Sequence, residues 1–227
     1  DHDRGAGRLP MRADDSEGPG VIHSDHFVRF YNEVFKPLPG VDRLPRRLMA
    51  TCSADAPLKG TRYLLRAYAR LLERYPDLEL LLVSKPLPGG KTEKLVARLG
   101  IGDRVRFVSG ISTEAMVRYY AEATVAVVPS VYEGFGLPAG EAMACGVPVV
   151  STDGGALPEV VGDAGVIVPA RDVDAMADAI ATLLEDPDRR SRLGAAGRAR
   201  IDEKFCWRVC AREMTDYYQD VMANADR

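Results

Sequence analysis

The sequence predicts an α/β fold: a Rossmann-like, doubly wound parallel sheet of about six strands, closed by C-terminal helices. Short apolar runs alternate with helical stretches from residue 44 to residue 168. The runs are apolar throughout instead of alternating with polar residues, as in parallel strands covered on both faces. R-R-L-M-A-T (46–51) is the first strand. In residues 59–75, Leu64, Leu65, Tyr68, Leu71 and Leu72 fall on one helical face, and Pro76 stands just past its end. L-E-L-L-L-V (78–83) is a strand, T-E-K-L-V-A-R-L (92–99) a helix ending at Gly100, and R-V-R-F-V (104–108) a strand. Residues 112–123 form a helix with Ser112 as its cap, and T-V-A-V-V-P (124–129) the fourth strand. Residues 136–145 form a helix stopped by Gly146, followed by strands at 147–151 and 164–168. Asp172 caps a helix over 172–184, and two more helices cover 188–203 and 207–224.

The 227 residues are 46% hydrophobic and 28% charged, enough to bury a core. A net charge of −3 speaks against a nucleic-acid partner. Nowhere do 18 apolar residues run together, and the N-terminal D-H-D-R-G-A-G-R-L-P has no signal-peptide pattern. Cys52, Cys145, Cys206 and Cys210 are read as small hydrophobes in a reducing compartment; the four-residue step from Cys206 to Cys210 places these two on one helical face. Trp207, the sole tryptophan, is read as a packing anchor. Residues 1–20, rich in Gly, Asp and Arg, read as a tail.

Ligands of such sheets bind beyond the carboxyl ends of the strands. There the sequence places Lys59 after the first strand, Lys85 after the second, and Gly134-Phe135-Gly136-Leu137 after the fourth. A helix opened by glycines attracts phosphate oxygens, and lysines add positive charge. Glu133 and Glu141 flank that turn, eight residues apart. A carboxylate does not bind phosphate, but it accepts well from sugar hydroxyls. Two acids around an anion site suit a ligand with hydroxyls on either side of a phosphate, as in a nucleotide-sugar.

Residues 133–148, E-G-F-G-L-P-A-G-E-A-M-A-C-G-V-P, resemble the E-x7-E signature of the retaining glycosyltransferases of family 4, which have the GT-B fold. The flanking K-G at 59–60, D-R-V-R-F at 103–107, Y-x-x-A before the fourth strand, P-V-V-S-T-D-G-G-A-L-P-E-V-V at 148–161, V-P-x-x-D at 168–172 and F-C-W at 205–207 agree with it. The resemblance covers residues 44–227 and implies the C-terminal, donor-binding half of such an enzyme. Residues 1–43 are then a tail and the remnant of an inter-domain linker. By position, Glu141 holds the ribose hydroxyls, and Glu133 sits by the donor sugar and its leaving phosphate. The amides of Phe135 to Pro138 face the diphosphate and sugar, Lys59 neutralises the leaving diphosphate, and Ile111 touches the base. The implied reaction is glycosyl transfer with retention, from a UDP-sugar ahead of a GDP-sugar, without a metal.

Two departures from the family pattern stand out. The family's Gly-Arg, a second diphosphate ligand, is replaced around Ala54 by C-S-A-D-A-P-L-K-G, leaving Lys85 or the Ser53 hydroxyl to substitute. An acceptor-binding N-terminal domain needs about 150–200 residues and does not fit before residue 44. The chain alone is therefore expected to bind donor and transfer poorly, in the cytoplasm, with any contact to the inner membrane face made by the absent half. The alternative is a non-catalytic module that binds a nucleotide-sugar and is completed by a partner. A dinucleotide oxidoreductase is disfavoured because residues 51–60 lack G-x-G-x-x-G.

Overall fold

The computed structural model describes residues 34–205 and 207–225, without the side chains of residues 207, 208, 210 and 225. The expected tail at 1–20, the shared face of Cys206 and Cys210, and the packing of Trp207 lie outside the described residues.

Each apolar run becomes a strand: β1 (Arg47–Thr51), β2 (Glu79–Val83), β3 (Val105–Val108), β4 (Val125–Val128), β5 (Val149–Thr152) and β6 (Val166–Val168). The helices between and after them are α1 (Thr61–Arg74), α2 (Lys91–Leu99), α3 (Thr113–Glu122), α4 (Leu137–Ala144), α5 (Leu157–Val161), α6 (Val173–Glu185), α7 (Pro187–Lys204) and α8 (Trp207–Ala225). The six strands form one sheet in the order β3-β2-β1-β4-β5-β6, all pairs parallel. The expected caps are present: Ser112 Oγ accepts from the Ala115 amide at 3.2 Å, and Asp172 Oδ1 accepts from the Asp174 and Ala175 amides.

Successive strand side chains point to opposite faces, and the core divides accordingly. Leu48, Ala50, Leu80, Leu82, Val125 and Val127 face one layer, under α1, α2 and α6. Met49, Leu81, Ala126, Val128 and Val149 face the other, under α3, α4 and α5. The expectation of strands buried on both faces holds for β4 and β5, every residue of which is buried. It fails at the edges, where one flank of the strand has no neighbour: Ile167 of β6 and Arg106 of β3 are exposed.

Arg198 of α7 ties the second layer together. It donates to the Ala144 carbonyl at the end of α4 (2.8 Å) and to the Phe35 carbonyl (3.1 Å). A cation there complements the helix's carboxyl terminus. Phe35 itself is buried, its ring edge-on to Tyr120 with centroids 6.2 Å apart.

Candidate functional site

The strand order reverses between β1 and β4, and the loops leaving these two strands diverge around a crevice, the usual ligand position in open α/β sheets. The loops run very close before they part. The Val131 amide donates to the Leu58 carbonyl at 2.8 Å. Gly60 has φ +66° and lies so near the Pro129 carbonyl that a Cβ would stand 1.7 Å from its oxygen. Only glycine fits there, since the left-handed region and the clash both exclude a side chain.

An open cleft of about 600 Å³ lies beyond the carboxyl ends of β1 and β2, lined by Ser53, Lys59, Ser84, Lys85 and Leu87 among others, with Pro138 of α4 on the β4 side. Four of the site residues expected from the sequence, Ser53, Lys59, Lys85 and Pro138, thus share one cavity. Ser53 and Lys85 are exposed in it. The backbone at Ala54, where the family pattern places an arginine, is fixed from both sides: its amide donates to Ser84 Oγ (2.8 Å) and its carbonyl accepts from Thr92 Oγ1 (2.7 Å). A second hollow, lined by Arg47, Asp77, Glu79 and Arg104, opens at the amino ends of β1 and β2. It lies at the opposite edge from the loop cluster, and the Arg47 guanidinium is already held by Glu79 and Glu122.

Lys59 reaches across the crevice. Its Nζ donates to Glu133 Oε1 at 2.7 Å, and Ser130 Oγ donates to the same oxygen at 2.8 Å. The Glu133 side chain is only 10% exposed and that of Lys59 35%. The Glu133 backbone is fixed too, its carbonyl accepting from the Ala156 amide at 3.0 Å beyond β5. The two groups expected to act on a leaving diphosphate therefore meet, although 74 residues apart in sequence. Removing one partner strands a largely buried charge. Lys59→Ala is expected to lower stability by about 1–3 kcal/mol, discounted for the partial exposure of Lys59. Adding Glu133→Gln should recover most of that loss, as read from urea midpoints of the two variants.

The turn between the acids behaves as expected at its amino end. Gly136 adopts φ +92° and caps α4, and a Cβ there would press 2.8 Å from Leu157 Cδ2. Gly134, Phe135 and Leu137 are exposed, and Phe135 meets Phe205 edge-on at 6.3 Å. The row of amides from Phe135 to Pro138 is shorter than expected: Pro138, second residue of α4, has no amide hydrogen. It lines the cleft instead. Leu137 opens the helix and needs an acceptor from outside it.

Glu141 lies in the second turn of α4, half-buried. Burial pushes its carboxyl above the usual glutamate range, and a 3.0 Å hydrogen bond donated by the Tyr120 hydroxyl pulls the other way. Ile111, half-buried beyond the edge strand β3, is not among the residues that line the cleft.

Two contributors were not legible as such. Ser130 lies three residues before Glu133, and Tyr120 opens the Y-x-x-A stretch before β4. That stretch was visible, but only its position relative to α4 shows what its hydroxyl holds.

Residues 43–200 match the family described as Glycosyl transferases group 1. An MMP alpha-(1->4)-mannosyltransferase of Mycolicibacterium hassiacum is 47% identical over 196 residues, 84% of this chain and 46% of that protein. Sucrose-phosphate synthase from Thermosynechococcus elongatus is similar in structure, with a TM-score of 0.70 and 34% identity over 85% of this chain and 51% of that one. The C-terminal domain of a glycosyl transferase group 1 family protein from Francisella tularensis has a TM-score of 0.67 and 25% identity, covering 77% of this chain and 97% of that domain. The chain spans about half the length of the curated relatives it matches.

Proposed function

This chain belongs to the glycosyl transferases group 1 family, and on that premise we propose that it is the donor-binding half of a retaining, E-x7-E-type glycosyltransferase that takes a nucleotide-sugar. The reading stands above all on the Lys59–Glu133 pair set between the β1 and β4 loops, with Lys59 in the wall of an open cleft. In this reading the diphosphate lies against Lys59, Lys85 and the amino terminus of α4, where cation and amide donors stabilise the charge that develops as it leaves. Glu141 accepts from the ribose hydroxyls, and Glu133 accepts from the donor sugar. Ser53 offers a hydroxyl where the family's arginine is missing. Ile111 sits beside the base only if the ligand extends past the cleft toward β3.

Lys59 already has a partner in Glu133. An arriving diphosphate competes with Glu133 for the ammonium, and the carboxylate so released is free to accept from the sugar. The acceptor site belongs, in this reading, to an N-terminal domain outside residues 44–227, which also makes any contact with a membrane surface. No helix among the described residues is long and apolar enough to cross a membrane.

Calorimetry with UDP, GDP, ADP and dTDP tests the reading. One of them, UDP ahead of GDP, is expected to bind with a stoichiometry of one, and absence of binding by all four would overturn it. The pH dependence has a definite sign. Ionised Glu141 is the better acceptor, and its pKa is raised, so affinity should fall as pH drops through a value above the ordinary glutamate range. Glu141→Gln, which does not titrate, should lack that part of the fall and leave only that of the nucleotide phosphate.

A further inference from the structure

Tyr120 of α3 is one of the largest fully buried side chains of the fold, with 1% of its surface exposed. Its ring packs edge-on against Phe35 in an apolar layer that a phenylalanine would fill equally well. A hydroxyl in such a place is costly unless it is hydrogen-bonded. The Tyr120 oxygen has three neighbours: Glu141 Oε2 at 3.0 Å, Thr51 Oγ1 at 3.2 Å and the Pro138 carbonyl at 3.5 Å.

The chemistry of these groups orders the protons. An ionised carboxylate only accepts, and a phenol has a single hydrogen to give. That hydrogen goes to Glu141, because the Pro138 carbonyl is at the outer limit of hydrogen-bond length. Thr51 then gives its own hydrogen to the Tyr120 oxygen at 3.2 Å in preference to the weakly accepting Met116 sulfur at 3.9 Å. The result is a directed chain from Thr51, the last residue of β1, through Tyr120 of α3 to Glu141 of α4. Each bond polarises the next. Thr51 also lines the cleft, so the chain starts at its wall and runs inward to Glu141 on α4, the helix whose Pro138 lines the same cleft.

We propose that Tyr120 is a positioning residue: its hydroxyl, supported by Thr51, fixes Oε2 of Glu141 so that the other carboxylate oxygen is presented to the ribose hydroxyls of the bound nucleotide. This rests on the reading that Glu141 takes the ribose. The residue touches no ligand atom itself. It removes the rotational freedom that a glutamate on a short helix would otherwise lose on binding.

The test is a cycle between the protein hydroxyl and the ligand hydroxyls. Wild-type chain, Tyr120→Phe and Glu141→Ala are each titrated by calorimetry with UDP and with 2′-deoxy and 3′-deoxy UDP, or with the GDP set if the wild type binds GDP. The wild type is expected to prefer the ribose form. Tyr120→Phe should weaken ribose binding by about fivefold to tenfold, the range for an ordinary net hydrogen bond, because the residue acts through Glu141, and leave deoxy binding almost unchanged. Equal weakening of ribose and deoxy ligands, or no weakening at all, overturns the positioning role. If the wild type does not prefer ribose, or Glu141→Ala keeps the preference, the ribose reading itself is wrong and the proposal falls with it. These arms do not involve Tyr120, so the two failures are distinguishable. Should Tyr120→Phe not fold, Thr51→Val removes the supporting hydroxyl and leaves the ring in place. It is expected to give a smaller loss confined to ribose ligands, and a loss spread equally over all ligands overturns the proposal.

Discussion

Glu141→Ala is expected to weaken nucleoside-diphosphate binding by about tenfold to a hundredfold, the worth of two hydrogen bonds of ordinary net strength. The effect should lie in the dissociation constant and not in the stability of the fold. Glu141 is half-buried and its charge is held by one neutral hydroxyl, so truncation strands no opposite charge. The variant also relieves a carboxylate that burial already disfavours. The folded-state pKa is raised, so this residue opposes folding once pH exceeds its unfolded value; its removal gains that relief but takes the acceptor from the buried Tyr120 hydroxyl, so the neutral-pH urea midpoint should stay about level. Calorimetry and urea titration on the same preparation separate the two quantities. Unchanged affinity would remove Glu141 from the ribose role.

Gly60→Ala is expected to be the most damaging Gly→Ala change among the described residues, costing about 4 kcal/mol or more, a size reserved for steric and burial failures. Two penalties combine. The left-handed backbone, φ +66°, costs an L-residue about 1–2 kcal/mol. The collision with Pro129 costs more: the added carbon would stand 1.7 Å from the carbonyl oxygen and 2.6 Å from its carbon, both backbone atoms with no rotamer to escape into. Gly100 provides the control. It has the same φ, +66°, with nothing within 4 Å of the added carbon, so Gly100→Ala should show the backbone penalty alone. Urea midpoints of both variants test the difference. Equal losses would mean that the β1 and β4 loops are not packed against each other as described.

The two loops also explain why the fold was more legible than the site. Strand and helix positions follow from local patterns: V-A-V-V can only be buried on both faces, and Asp172 or Ser112 announce the helices they cap. Boundaries moved by a residue or two where an apolar residue flanked the ladder, as at Val147, which is buried but precedes β5. The site depends on juxtapositions that no local pattern carries. Lys59 and Glu133 were visible as separate candidates. Their mutual contact depends on the strand order, and so does the burial that makes Glu133 need a cation. Tyr120 is harder still. In sequence it opens the Y-x-x-A stretch on an amphipathic helix, and only the packing of α3 beside α4 aims its hydroxyl at Glu141. Pro138 is a different case: the absence of its amide hydrogen was readable from its chemistry alone, and the position-by-position resemblance passed over it.

The switch in strand order has a kinetic consequence. Leu48 of β1 pairs with Leu80 on one side and with Val125 on the other. The second pairing closes a loop more than twice as long, at an extra entropic cost of about 1 kcal/mol before any contact repays it. The strands β1, β2 and β3 pair in sequence order, so that half of the sheet relies on comparatively local contacts, which favour fast folding. The crevice does not exist until β4 docks against β1 and brings Glu133 to Lys59. Ligand competence is thus tied to the slowest-closing seam of the sheet, and a chain arrested before that step would have much of its secondary structure and no binding site.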